Sequence, residues 1–242
     1  MTELSEQTTD IVLWGATQAG KTTSLAAYLC HSPQQPDWLD RDAAETTETV
    51  TFLNHNYWLK LRQNQLPQAT MTARPYSVRH RDGRLIRFRD IKGGDAVYPT
   101  EDEIAALQQA SGVLLCVEWP NQSLVINDVA FGNARLFAKC PYALMITKVE
   151  CHLTFDQYML FRLNPIDVAV KQQMPESFIQ LLKSVPSHAI FPISVYGYTE
   201  ENRPALYLDE FGRLIPQNIN PKGIAAPFDH LMAQIDRERR LI

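Results

Sequence analysis

Residues 15–22, with the sequence GATQAGKT, are the feature that most narrows what this chain can fold into. They follow the short apolar run 11–14 directly, and the segment after them, TTSLAAYLC, carries Leu25 and Leu29 at helical spacing. The glycines of the stretch permit backbone conformations that other residues avoid. The order of these three pieces predicts a buried strand, a glycine-containing loop and a helix.

The rest of the chain also alternates between strand-like and helical segments. Asp82-Gly83 separates two strand-like runs, 74–80 and 84–89, and Asp-Gly in that position is a strong hairpin signal. Further strands are predicted at 113–118, 143–147 and 189–194, and helices at 45–65, 101–110, 127–139, 155–182 (in parts) and 228–237. This alternation predicts an α/β fold with a mostly parallel sheet and one antiparallel edge strand from the hairpin.

The length suits one domain. We expect residues 1–9 to form a flexible tail and residues 10–242 to form a single domain with a helical insertion at about 31–68. The insertion is predicted from Val50, Leu53, Tyr57 and Leu61, which recur at three- and four-residue spacings.

The overall composition argues against several classes of protein. A net charge of −4 gives no support for nucleic-acid binding, and we interpret the arginines within 79–89 as the solvated face of the hairpin. None of the four cysteines has CxxC spacing, which argues against a disulfide framework or a zinc site. The polar N-terminus is unlike a signal peptide, and no apolar run approaches the ~20 residues that span a bilayer. We therefore expect a cytoplasmic protein.

GATQAGKT matches the pattern G-x-x-x-x-G-K-[ST] at every fixed position, and this spacing suits a phosphate-binding loop. The loop lets successive backbone N–H groups point at phosphate oxygens, and the N-terminus of the following helix adds partial positive charge. Lys21 then reaches the β- and γ-phosphates, while the Thr22 hydroxyl binds Mg²⁺. The sequence therefore predicts a triphosphate and Mg²⁺ site at this loop.

Three further candidates lie at the ends of predicted strands. Asp90 begins the sequence D-I-K-G, where a carboxylate can hold the water shell of Mg²⁺ and Gly93 can donate its N–H to the γ-phosphate. The sequence TKVE at 147–150 is similar to an element that recognises guanine through a lysine stem and a carboxylate that accepts hydrogen bonds from the base. Ser194 ends the last predicted strand, where a serine-containing loop supports that recognition.

The order GATQAGKT, DIKGG, TKVE and ISVYG resembles the Ras-like P-loop GTPases of the translation-factor-related class, over about residues 10–197. More narrowly, LPQAT, DIKGG and the tail PKGIAAPFDHL are similar to the bacterial "double-GTPase" domains of conflict and GTPase-associated systems. The resemblance implies a three-layer P-loop NTPase fold, GTP or GDP with Mg²⁺ as cofactors, and a protein effector or regulator as partner.

The resemblance also implies roles for individual residues. Contacts to nucleotide are implied for Gly15, Gln18, Ala19, Gly20, Lys21, Thr22, Thr23, Lys148, Glu150 and Ser194. The implied metal ligands are Thr22, Thr70 and Asp90, and the implied catalytic residues are Lys21, Thr70 and Gly93. Thr70 has the role of a switch threonine that closes over Mg²⁺, and Thr47 and Thr49 are alternatives for that role.

Two positions depart from the family's pattern. Gly94 stands where many Ras-like proteins carry a water-positioning glutamine, so we expect slow intrinsic hydrolysis or help from another residue, for which Gln18 is one candidate. Glu150 replaces an aspartate, which leaves adenine open as the base. Beside a GTP-hydrolysing switch, the sequence leaves open a nucleotide-dependent binding module with little turnover. An ATP-using kinase ranks last because no arginine-bearing lid is evident.

Overall fold

A computed structural model describes residues 7–16, 18–31, 35–67, 74–91, 98–119, 132, 139–211 and 214–241. Its strands are β1 Thr8–Trp14, β2 Leu39–Asp40, β3 Arg74–His80, β4 Leu85–Asp90, β5 Gly112–Glu118, β6 Tyr142–Thr147, β7 Ile190–Pro192, β8 Leu206–Leu208 and β9 Leu214–Pro216. Its α-helices are α1 Lys21–Cys30, α2 Ala44–Leu53, α3 Leu59–Arg62, α4 Glu101–Gln109, α5 Phe155–Leu163, α6 Pro165–Lys171, α7 Glu176–Ser184 and α8 Ala225–Arg239.

The main sheet has seven strands in the order β2-β3-β4-β1-β5-β6-β7. Strands β4, β1, β5, β6 and β7 are mutually parallel, whereas β3 runs antiparallel to both β4 and β2. The predicted α/β class with a mostly parallel sheet is therefore confirmed. The hairpin strand β3 is not the outermost one, because the two-residue strand β2 pairs with its far side.

Two hydrophobic cores lie on opposite faces of this sheet and make the fold three-layered. Strand β1 shows the division, because successive side chains of a strand point to opposite faces. Val12 and Trp14 belong to one core, which α4 to α7 cover. Ile11 and Leu13 belong to the other core, which α1 to α3 and α8 cover. A parallel sheet buried on both faces requires such continuous apolar strands.

The first strand begins earlier than its apolar run indicates. Strand β1 starts at Thr8, inside the segment predicted as a tail, because Thr8 to Asp10 pair with the first residues of β4. Arg239 of α8 donates hydrogen bonds to the Thr8 carbonyl and the Thr9 hydroxyl, which is fully buried. Polar residues therefore extend this strand through partners that are distant in sequence.

The helical insertion covers the edge of the sheet. Helices α2 and α3 are joined by a π-helical segment, Asn54–Trp58, so the helix predicted over 45–65 is present with an altered central turn. Tyr57 and Trp58 are buried in the core against α1. On α2, the Thr46 hydroxyl accepts the Arg79 N–H at 2.8 Å, which satisfies part of the open side of β3.

The helical region predicted over 155–182 divides into three helices. Thr154 forms a capping box at the start of α5, Pro165 occupies the first turn of α6, and Pro175 precedes α7. The helix predicted over 127–139 lies almost wholly outside the described residues. The hairpin of β8 and β9 was not predicted and forms its own two-stranded sheet.

Acidic partners neutralise much of the basic hairpin. Arg84 pairs with Asp82 at 2.7 Å and with Asp236 of α8 at 2.6 Å. Arg87 lies 2.8 Å from Asp10 on the neighbouring strand β1, and Arg79 pairs with Glu45 of α2. These arginines therefore hold the hairpin to the rest of the fold.

None of the helices in the described part of the chain combines the length and apolarity that crossing a bilayer requires.

The strand order places several loops at the carboxyl-terminal edge of the sheet, where the parallel strands end. From β1 the chain forms β2 to β4 on one side of β1 and then β5 to β7 on the other side. Ligands of such sheets bind outside the carboxyl ends of the strands, at the point where the order reverses. That point lies at the end of β1, where the GATQAGKT loop begins.

Candidate functional site

The loop after β1 is shaped by two glycines. Gly15 has a φ of +152°, and a Cβ at this position would lie 2.1 Å from the Cys116 carbonyl oxygen of β5. Gly20 has a φ of +80° and forms the N-cap of α1. Any larger residue at position 15 would collide with the backbone of β5. The glycine spacing of the motif is therefore explained by close strand contact and by the start of the helix.

Helix α1 begins without a side-chain cap from the described residues. The Ser24 N–H donates to the Gly20 carbonyl at 2.9 Å, so regular helical bonding starts immediately after the loop. The N-terminus of a helix carries partial positive charge and N–H groups that lack helical partners. This end of α1 is thus suited to an anion, and it faces the edge of the sheet at which the strands end.

Lys21 folds back over the loop that precedes it. Its ammonium donates to the carbonyls of Gly15 at 2.9 Å and Ala16 at 3.0 Å, and the residue is only 7% exposed. These two carbonyls hold a buried cation at the mouth of the loop. A phosphate oxygen could replace them as the acceptor, because a charged donor bonds an anion more strongly than a neutral carbonyl.

Thr22 and Asp90 lie in direct contact. The Thr22 hydroxyl donates to Oδ2 of Asp90, and the pairing of Leu13 with Asp90 places the ends of β1 and β4 side by side. Asp90 is 2% exposed. Burial raises the pKa of its carboxyl, and the nearby Lys21 ammonium and Thr22 hydroxyl oppose that rise.

This oxygen pair fits a divalent cation. A hydroxyl and a carboxylate are the hard ligands that Mg²⁺ prefers, and Mg²⁺ usually takes one or two such protein ligands together with phosphates and waters. The described residues contain no group of three or more His, Cys, Asp or Glu side chains that could hold a metal by themselves. Thr22 and Asp90 suit a cation that is bound jointly with a phosphate.

A second polar group lies at the end of β6. Lys148 has a φ of +57°, and its ammonium lies 3.0 Å from Oε1 of Glu118, the last residue of β5. Ser194, after β7, is fully buried, and its hydroxyl accepts the Gly197 N–H at 2.9 Å. This group occupies the same edge of the sheet as the GATQAGKT loop, because β5, β6 and β7 are parallel to β1.

Glu150 is the most unusual member of this second group. It is 1% exposed, and its Oε1 accepts the Tyr196 N–H at 3.0 Å. Its Oε2 is buried and has no hydrogen-bond partner among the described residues. Burial raises the pKa of the Glu150 carboxyl to about 7, although the backbone N–H groups of Tyr196, Glu150 and Val195 and the Ser194 hydroxyl oppose the rise. A buried acceptor without a partner costs free energy, and a donor from a ligand would remove that cost.

Thr147 connects the two polar groups. Its hydroxyl donates to the Ala19 carbonyl at 2.8 Å, and it also lies 3.3 Å from the Val117 carbonyl. Neither this role nor the pairing of Glu118 with Lys148 follows from sequence spacing. The available signal was their position, since each ends a predicted buried strand.

The structure brings most of the predicted site residues together. The first group lies around the GATQAGKT loop and the second at the ends of β6 and β7. We name them the phosphate-side group and the base-side group after the roles that the sequence predicts for them. The phosphate-side group contains Gly15, Ala19, Gly20, Lys21, Thr22 and Asp90, and the base-side group contains Lys148, Glu150 and Ser194. Gln18 is exposed with a φ of +64°, and Thr23 is half-buried in the first turn of α1.

The candidates for the switch role lie elsewhere. Thr47 and Thr49 lie on α2. The Thr49 hydroxyl donates to the Ser77 carbonyl of β3 and so holds the insertion to the sheet, whereas the Thr47 hydroxyl donates to the Arg41 carbonyl within the insertion itself. Thr70 and Gly93, together with Gly94, lie outside the described residues.

Comparison of the sequence with known protein families and with characterised proteins finds no match. The functional interpretation therefore rests on the motif spacing and on the geometry of the two polar groups.

Proposed function

We propose that this chain is a GTP-binding switch that hydrolyses GTP to GDP and phosphate with Mg²⁺. One observation carries the proposal. Thr22 and Asp90 are 68 positions apart, yet their oxygens meet beside the buried Lys21 ammonium at the end of a glycine-shaped loop. A triphosphate with Mg²⁺ needs a cation, a hydroxyl and a carboxylate in such an arrangement.

The phosphate-side residues would act as follows. Lys21 would exchange the Gly15 and Ala16 carbonyls for oxygens of the β- and γ-phosphates. The amides at the start of α1 would bind the same phosphates. Thr22 and Asp90 would hold Mg²⁺, which when bound neutralises charge that develops on the transferred phosphoryl group. Donors fixed before the reaction stabilise this charge without reorganising.

The base-side residues favour guanine. The unpartnered Oε2 of Glu150 is an acceptor, and guanine offers N1–H and N2–H₂ donors on one edge. Adenine presents an acceptor at N1, which the ionised form of the Glu150 carboxyl would repel. Because Glu150 is 1% exposed, the base would reach Oε2 only after the residues that cover the carboxyl move. We propose guanine as the base on this ground.

The proposed output is binding of a protein effector or regulator. The γ-phosphate would bind the segment that contains Thr70 and the segment that follows Asp90 and contains Gly93, and hydrolysis would release both. Thr70 and Gly93 keep their proposed catalytic roles as predictions from the motif resemblance. The proposed site of action is the cytoplasm.

A second candidate function differs in its turnover. Gly94 stands where a water-positioning glutamine is common, so the chain could bind nucleotide and organise an assembly with little hydrolysis. Multiple-turnover phosphate release separates the two candidates. For the GTPase we expect release from GTP above the buffer blank, dependent on Mg²⁺ and proportional to protein concentration. Release at the blank rate, with nucleotide binding intact, would contradict the GTPase and favour the binding module.

A further inference from the structure

The pairing of Lys148 with Glu118 is not explained by the motifs that define the proposed site. Glu118 ends β5, opposite Thr147 of β6 in the sheet register. Its Oε1 lies 3.0 Å from the Lys148 ammonium, and the side chains are only 15% and 28% exposed. The carboxylate is therefore placed by the sheet, beside the residue that precedes Lys148.

The backbone of Lys148 is fixed in an uncommon conformation. Its φ of +57° lies in the left-handed region, which residues other than glycine seldom adopt. The Thr147 carbonyl accepts the Trp119 N–H at 2.8 Å, and the Lys148 carbonyl accepts the Cys151 N–H at 3.0 Å. Hydrogen bonds on both sides thus determine the direction in which the side chain leaves the backbone.

The ammonium of Lys148 is then fixed at the other end of the side chain. With both ends held, the four methylene groups between them have little rotational freedom left. A lysine stem that is ordered before binding loses less side-chain entropy when a flat ligand packs on it. The ion pair therefore has a consequence for ligand binding that an isolated surface ion pair lacks.

We propose that Glu118 is a positioning residue for the nucleoside: by holding the Lys148 ammonium it keeps the lysine stem in place to pack on the base. The proposal rests on the proposed nucleotide site. It assigns Glu118 no contact with the phosphates, because the proposed phosphate contacts are made by Lys21, Thr22 and the start of α1. Glu118 should therefore affect the affinity for the nucleoside part of the ligand only.

Two probes separate these contributions. A non-hydrolysable GTP analogue contacts both groups, whereas inorganic tripolyphosphate contacts only the phosphate-side group. We expect Glu118→Gln to weaken binding of the analogue roughly 5-fold, the upper end for an ion pair of this kind, and to leave tripolyphosphate affinity unchanged. Lys148→Met should weaken binding of the analogue at least as much as Glu118→Gln does. The double variant should match Lys148→Met, because the two residues act as one unit.

Controls make the outcome decisive. Glu45→Gln removes another acid from an ion pair, that with Arg79 on the hairpin, and should change neither affinity. Unchanged analogue binding by Glu118→Gln, equal loss for both probes, or additive effects in the double variant would overturn the positioning role. If the unaltered protein bound neither the GTP analogue nor tripolyphosphate, the proposed function itself would be overturned.

Discussion

The phosphate side and the base side of the proposed site each contain a buried acid at the end of a parallel strand, but the two acids are surrounded differently. Asp90 has the Thr22 hydroxyl on one oxygen and the Lys21 ammonium nearby. Oε1 of Glu150 accepts the Tyr196 N–H, and Oε2 has no hydrogen-bond partner among the described residues. Burial raises the pKa of both carboxyls, that of Glu150 to about 7.

The contrast shows two ways in which a site can be prepared for a ligand. On the phosphate side, a cation and a hydroxyl already compensate the carboxylate, so the group is suited to exchange these contacts for phosphate and Mg²⁺. On the base side, Oε2 of Glu150 is an acceptor without a hydrogen-bond partner among the described residues, and a donor-bearing ligand would supply one. The predictions below test each side and then the contact between them.

The largest expected effect is on the phosphate side. Lys21→Ala removes the charged donor that we place on the β- and γ-phosphates, and we expect about 1,000-fold weaker binding of a non-hydrolysable GTP analogue with Mg²⁺. Lys171→Ala, which removes an exposed lysine at the end of α6, is the matched control and should bind normally. Equal affinity of Lys21→Ala and the unaltered protein would refute the phosphate loop.

The next effect concerns stability on the base side. The pKa of Glu150 is about 7 in the fold against an ordinary 4.5, so the folded chain holds this proton more tightly than the unfolded chain does. The contribution of Glu150 to stability therefore falls as the pH rises from about 4.5 to about 7. Glutamine does not titrate, so Glu150→Gln should gain stability relative to the unaltered protein by on the order of 3 kcal/mol between pH 4.5 and 8.

Urea unfolding of both proteins at the two pH values measures this difference. Glu210→Gln, at an exposed position, should have the same free energy of unfolding as the unaltered protein at both pH values. If the difference in free energy of unfolding between Glu150→Gln and the unaltered protein were the same at both pH values, the Glu150 carboxyl would not titrate between them. The contrast between the two acids would then be removed.

The smallest effect concerns the contact that joins the two sides. Thr147→Val keeps the shape of the side chain but leaves the Ala19 carbonyl without its donor, and should cost about 1 kcal/mol of unfolding free energy. It should also weaken tripolyphosphate binding severalfold, because Ala19 belongs to the phosphate loop. Thr147→Ser retains the hydroxyl and should preserve tripolyphosphate affinity. Equal behaviour of the valine and serine variants would mean that the hydroxyl does not support the loop.

Local patterns were sufficient to predict the local structure on the proposed phosphate side. A strand, a glycine loop and a helix follow one another within residues 8–30, so hydrophobic spacing and glycine positions determine them. Asp90 could be assigned because a strand end and a D-x-x-G pattern coincide there. The resulting contact with Thr22 depends on the parallel pairing of β1 and β4, which the predicted fold class includes.

The base side could be predicted only in part, because its decisive contacts join residues that are distant in sequence. Glu150 accepts from Tyr196, Thr147 donates to Ala19, and Lys148 pairs with Glu118. No spacing rule connects such positions. For the same reason the start of β1 at Thr8 and the short strand β2 were missed, since each depends on pairing with the hairpin strands.

Calorimetric titration of the protein with Mg²⁺ and, in separate experiments, non-hydrolysable GTP and ATP analogues tests the central claim most directly. We expect saturable binding of the GTP analogue and a strong preference for it over the ATP analogue, because Oε2 of Glu150 needs donors that the adenine edge does not supply in the same way. Equal binding of the two analogues, or a preference for ATP, would contradict the guanine assignment. Binding of neither would contradict the nucleotide site as a whole.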